Sequence, residues 1–251
     1  MATIVQNGAT PTQNHNKKSG KGWLPVAIVI VLLTLFLGFY ALSGVKQAIV
    51  PALLCAAAAI LCFVFYRIRS GSKRPGSIAI AGEQSENAAT AVLARLPEEY
   101  TVLRNTTVHF GDGKSEIDNI IIGPAGVFIV ETKGQKGTIT ADYDAKEWSR
   151  IKTDKYGIEH PDTFYSPVKQ VGTHTYRLAN FLRDNKIFTH VQAIVYFSHP
   201  EAEVHLHGEG ETPVFTYGEQ DKMLDFIADR VPALSAKQVL SISALLIAKN
   251  D

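Results

Sequence analysis

Residues 116–133 read EIDNIIIGPAGVFIVETK, from Glu116 to Lys133. Two runs rich in β-branched and apolar residues flank Gly123-Pro124-Ala125-Gly126, a turn signal of the length a β-hairpin needs. Pairing Ile122 with Val127 sets Asp118 opposite Glu131 and Glu116 opposite Lys133. Side chains alternate between faces along a strand, so all four are expected on one face. Opposed positions place their Cβ atoms about 4.5–5.5 Å apart, and like charges there are destabilising. Asp118 against Glu131 therefore asks for something positive between them. A divalent cation answers that need, since Mg²⁺ (or Mn²⁺ in its place) takes carboxylate oxygens at about 2.1 Å and keeps waters for chemistry. Lys133 would stand beside it, placed to orient a water or to stabilise charge on a phosphate. The competing reading is a plain Glu116–Lys133 cross-strand ion pair, with Asp118 and Glu131 solvated on an exposed face. Residue types alone leave the two open.

Outward from this hairpin, apolar periodicity predicts a helix over Gly82–Leu96 and short strands over Tyr100–Val108, Gly137–Thr140 and Glu147–Ile151. Ser166-Pro167 has the chemistry of a helix start, serine as N-cap and proline at the first helical position. Val171, His174, Leu178 and Phe181 give that helix one face, with His174 at the edge of the core. A strand over Val191–Phe197, another near Pro213–Thr216, and helices near Glu219–Asp229 and Ser235–Ala248 complete a mixed α/β sheet flanked by helices. His205 and His207 alternate on a further candidate strand, but two histidines without a third ligand do not make a zinc site.

The N-terminal third has another chemistry. Its first 75 residues hold eight lysines and arginines and no acid, while all 24 acidic residues follow Gly82 against the remaining 17 of 25 basic ones. The C-terminal part thus carries seven excess negative charges, so the two parts suit different surroundings. Residues 23–42 and 48–66 are apolar runs without a charge, each long enough for a hydrocarbon core roughly 30 Å thick. Five residues link them, so they are expected to form a transmembrane hairpin over 21–69. Lys17, Lys18 and Lys21 precede it, Arg67, Arg69, Lys73 and Arg74 follow it, and Lys46 alone sits in the turn. The positive-inside rule then puts both termini and the soluble part on the cytoplasmic side of the cell (inner) membrane. Residues 1–20 read as a disordered tail, 70–79 as a linker, and 80–251 as the globular domain. Ala56–Ala59 offers a small-residue surface for packing the spans, or for self-association of the hairpin. Cys55 and Cys62 lie within the second run, too far apart along one helix to be bridged, and nothing calls for an oxidising compartment.

The order of motifs is that of a known family. Gly82-Glu83 opening a helix, Glu116-Ile117-Asp118, Gly123-Pro124-x-Gly126-Val127-Phe128, Glu131-x-Lys133, Trp148 and Ser166-Pro167-x-x-Gln170 resemble the nuclease-related domain (NERD) of the PD-(D/E)xK nuclease superfamily, over roughly residues 80–200. The resemblance implies a restriction-endonuclease-like core and metal-dependent cleavage of nucleic acid, with DNA the expected substrate. It also implies Asp118 and Glu131 as metal ligands, Lys133 as the catalytic lysine, Glu83 as a further acidic residue with Glu86 its alternative one turn away, and Gln170 as a polar residue facing the site. Where the family commonly has Asn-Pro, this chain has Ser166-Pro167, and serine caps a helix about as well. The excess negative charge opposes tight nonspecific DNA binding, although Lys133, Lys136, Lys146, Arg150, Lys152 and Lys155 cluster in sequence around the site. A non-catalytic module that binds nucleic acid or protein at the bilayer is the alternative.

Overall fold

The computed structural model describes residues 1–7 and 75–249. The two apolar runs, most of the N-terminal tail and the first part of the linker lie outside the described residues. Among the described residues no helix is long and apolar enough to cross a membrane.

Among the described residues ten strands and four α-helices follow one another as β1 (Thr3–Gln6), α1 (Pro75–Leu93), β2 (Thr101–Phe110), β3 (Gly113–Gly123), β4 (Gly126–Lys133), β5 (Gly137–Asp142), β6 (Glu147–Thr153), β7 (Glu159–Tyr165), α2 (Pro167–Asp184), β8 (Val191–Phe197), β9 (Ala202–His207), β10 (Val214–Thr216), α3 (Gln220–Ala228) and α4 (Ala236–Ala248). They form a six-stranded sheet, β1-β2-β3-β4-β8-β10, and a four-stranded sheet, β7-β6-β5-β9. In the larger sheet β2, β3 and β4 run antiparallel as a meander, while β1, β8 and β10 each join their neighbours in parallel. This is a mixed α/β fold with sheets flanked by helices.

The hairpin forms in the expected register, Ile122 with Val127 and Gly123 with Gly126. Gly126 takes φ +130°, and a Cβ on Gly123 would collide with the Tyr100 ring, so both ends of the turn require glycine. The central strands are buried on both faces, which is why Ile120-Ile121-Ile122 and Val127–Val130 read as continuous apolar runs. On one face Ile121, Phe128 and Val130 pack with Ala89, Val92 and Leu93 of α1 and Met223, Leu224 and Ile227 of α3. On the other, Ile120, Ile122, Val127 and Ile129 pack with α2, α4 and the small sheet. Trp148 of β6, fully buried, stacks on Phe197 of β8 and meets Phe164 edge-on, riveting the small sheet to the large one.

The N-terminal seven residues depart from expectation. Thr3–Gln6 are an edge strand on β2, not part of a disordered tail. Ala2 and Val5 reach the two cores, and the Asn7 amide donates to Thr106 Oγ1 and to the carbonyl of Leu246 in the last turn of α4. Such carbonyls have no partner within their own helix, so polar Asn7 is held where sequence composition suggested only solvent. Helix α1 also begins earlier than expected, at Pro75, taking up half of the stretch read as linker. Strand β7 adds to the expected set, and β9 forms where His205 and His207 marked a further candidate strand.

Candidate active site

A break in the strand ladders creates the site. In β2 and β3, Arg104 pairs with Asn119 and Thr106 with Ile117, but Asn105 and Asp118 between them do not pair. Asn105 takes φ +49°, a left-handed conformation that asparagine tolerates better than most residues. The faces change over at this point. Leu103 and Val108, five apart, share one core, as do Ile117 and Ile120, three apart, although odd separations lie on opposite faces of a regular strand.

The β3–β4 ladder ends at the same level, with Asn119 and Val130 as its last pair. Beyond it β4 leans on β8, with Glu131, Thr132 and Lys133 in register with Val195, Tyr196 and Phe197. Asp118 and Glu131 are thus not a regular cross-strand pair. The strands part, and the Asp118 carboxylate accepts a 2.9 Å hydrogen bond from the freed Thr132 N–H. Glu116 goes elsewhere: opposite Thr107 of β2, it is solvent-exposed and bridges to Lys114. The expected Glu116–Lys133 juxtaposition does not form, because the two strands have already separated.

What the break gathers is a buried polar cluster. Glu131 is 1 % exposed, its Oε1 accepting from Lys133 Nζ at 2.6 Å. The same ammonium donates to Gln170 Oε1 at 2.9 Å. Gln170 is presented from the first turn of α2, where Ser166 caps the helix and Pro167 opens it as expected. One turn later His174 places Nε2 3.5 Å from Glu131 Oε2. On the face covered by α1, Asn119 bridges Thr90 and Thr132, fixing α1 against the break.

The charges respond to this burial. Desolvation, then the Glu131 charge, push the Asp118 carboxyl up to about 7 against the pull of Lys133. Glu86 is likewise raised to about 7, by desolvation and then by Asp118. Glu131 is raised by desolvation and by Glu86, with Lys133 opposing. Burial, Lys133 and Arg177 hold His174 down to about 4, so its imidazole is neutral. Glu86 is therefore the α1 carboxylate that couples electrostatically to Asp118 and Glu131, whereas Glu83 lies half-buried one turn before it. His174 is the member that sequence reasoning did not find. Its signal was the four-residue spacing from Gln170, which puts both on one helix face.

Residues 81–198 match the family described as "NERD: Nuclease-related domain". This stretch, just under half of the chain, is similar to that family. An uncharacterized protein of Bacillus anthracis is 39% identical over 84 residues, a match covering 32% of this chain and 39% of that protein. The chain thus spans well under half the length of that relative, and no solved structure matches. Every residue of the cluster, from Glu86 to His174, falls within the matched stretch.

Among the described residues no three His, Cys, Asp or Glu side chains converge as a ready-made metal cage. A Mg²⁺ site does not require one, since that ion is commonly held by one or two carboxylates with waters and substrate oxygens. Glu86 Oε2 and Glu131 Oε2 are buried without any hydrogen-bond donor, which is costly unless a cation or water meets them. The residues fit a divalent ion. The basic cluster read around the site fares less well: Lys136 is paired with Glu201, and Arg150 and Lys152 with Asp162.

Proposed function

We propose that the chain is a membrane-anchored phosphodiesterase that cleaves nucleic acid, DNA foremost, with Mg²⁺ or Mn²⁺ held by Asp118 and Glu131 in a restriction-endonuclease-like core. The observation that carries this reading is Lys133, whose ammonium is fixed between Glu131 Oε1 and Gln170 Oε1 beside the raised Asp118 carboxyl. When bound, the ion supplies a water of lowered pKa and neutralises charge on the phosphate. Lys133 holds one positive charge where the phosphate gains negative charge as water adds and the ester oxygen leaves. Gln170 keeps that ammonium oriented. Glu86 and Glu83 are the acidic residues on α1, and Glu86, with its unpartnered oxygen, is the better placed to take a proton or a metal-bound water.

The anchoring half of the proposal rests on residues 23–42 and 48–66 and the basic residues around them, which favour a two-pass segment with the domain in the cytoplasm. Strand β1 supports the same topology. Both ends of the segment Thr12–Ala79 return to one folded unit, so whatever crosses a bilayer between them crosses an even number of times. The small residues of Ala56–Ala59 would suit packing the two spans together, or self-association of such hairpins.

Full-length protein in detergent should cut DNA with Mg²⁺ or Mn²⁺, and Asp118→Ala or Lys133→Ala should abolish cutting. Equal cutting by wild type and both variants would reveal a contaminant and sink the assignment. The neutralised lysines and arginines favour a second reading, a module that binds without cutting. Under that reading a Mg²⁺ titration shows no binding that depends on Asp118 and Glu131.

A further inference from the structure

Helix α2 presents two polar side chains to β4, one turn apart: Gln170 meets Lys133 and His174 meets Glu131. His174 is 8 % exposed, and neither of its ring nitrogens has a hydrogen-bond partner. The atom it faces, Glu131 Oε2, is also buried and without a donor. Two orphaned polar atoms 3.5 Å apart deep in a core describe a contact that small ring rotation would close, and such contacts often tighten only when a site is loaded.

We infer that His174 is a positioning residue for Glu131, its Nε2–H donating to Oε2 so that the carboxylate is held at both oxygens. This rests on the reading of Glu131 as a metal ligand. A neutral imidazole carries one N–H. With the proton on Nδ1, a bare Nε2 lone pair would confront a carboxylate oxygen, whereas the Nε2–H form turns the same contact into a charge-assisted hydrogen bond. Lys133 on Oε1 and His174 on Oε2 then fix the plane of the carboxylate, and each oxygen keeps a further lone pair for a cation. Outer partners of this kind set ligand orientation, and their loss costs about 10–100-fold in metal affinity.

The test uses full-length protein in detergent with ¹⁵N-labelled histidine, the His174 signals being assigned by their loss in His174→Phe. The metal-free protein is expected to show the Nε2–H tautomer at His174; the Nδ1–H tautomer overturns the inference, whatever the metal does. Mn²⁺ calorimetry then reads the consequence. His174→Phe should bind about 10–100-fold more weakly than wild type while melting within a few degrees of it, and His174→Gln, which restores an N–H, should recover part of the loss. Unchanged affinity in His174→Phe also overturns the inference. If wild type binds no Mn²⁺ at all, the metal reading falls instead, and the tautomer alone decides the role of His174.

Discussion

The backbone N–H of Thr132 donates to Asp118 Oδ2 across the point where β3 and β4 part. A strand leaving its neighbour exposes backbone donors that must be satisfied, and the aspartate meets that need while staying beside Glu131. One short side chain thus ends a ladder and begins a site. A regular ladder would have set the two acids at a fixed spacing; the parted strands release them from it.

Lys133 neutralises a glutamate that is almost wholly enclosed. Removing one partner of a buried pair typically costs about 3–5 kcal/mol, because the other charge is left uncompensated. Lys133→Met is expected to destabilise the protein by about that much near neutral pH, and Lys133→Met combined with Glu131→Gln should recover most of it. Urea unfolding of the three proteins measures the coupling; additive losses would mean that the pair is not the origin.

Metal-free stability should depend on pH through the raised carboxyls. Asp118 and Glu86, each pushed up to about 7, bind protons more tightly folded than unfolded. Their contribution is complete below the ordinary carboxylate range and is lost as pH rises through about 7. His174, held down to about 4, acts oppositely: its contribution is present above about 6.5 and lost as pH falls through 4. Comparing wild type with Glu86→Gln isolates the acid. The variant should gain roughly 1–2 kcal/mol at about pH 8, a figure reduced for partial exposure, and little at about pH 5. A wild-type pH profile that the substitution leaves unchanged would argue against the coupling.

Strand β1 offers a backbone test. Thr3 N–H donates to the Tyr100 carbonyl and Asn7 N–H to that of Arg104, so in an evenly spaced parallel ladder Val5 is the intervening donor. Proline at Val5 removes that bond, whereas proline at Ile4, whose N–H faces away on an edge strand, does not. Val5→Pro should cost about 1–3 kcal/mol and expose the Asn7 amide to hydrogen exchange, with Ile4→Pro milder on both counts. Equal effects would mean that the N-terminal strand does not stabilise the domain.

Much of this was legible in residues 116–133. Glycine at both ends of a turn and apolar runs of strand length fixed the hairpin and its register, and Ser166-Pro167 announced α2. The break was not legible, because it arises between strands: β4 keeps β8 from Val127 to Lys133 but loses β3 after Val130, and no local pattern records where a neighbour peels away. The same blindness hid β1. Four residues without strong alternation become a strand only because β2, a hundred positions later, offers a free edge. His174 looked like a core-edge residue because its role depends on which strand α2 crosses. The cations that cluster near the site in sequence carry acids of their own that sequence proximity does not reveal, and Asp162 and Glu201 claim Lys136, Arg150 and Lys152.

The most direct test of the central claim is an Mn²⁺ titration of the full-length protein near neutral pH, wild type against Asp118→Asn. If the parted strands hold a divalent ion between Asp118 and Glu131, wild type shows saturable binding that the variant loses by at least about tenfold. Matching isotherms for the two proteins would contradict it.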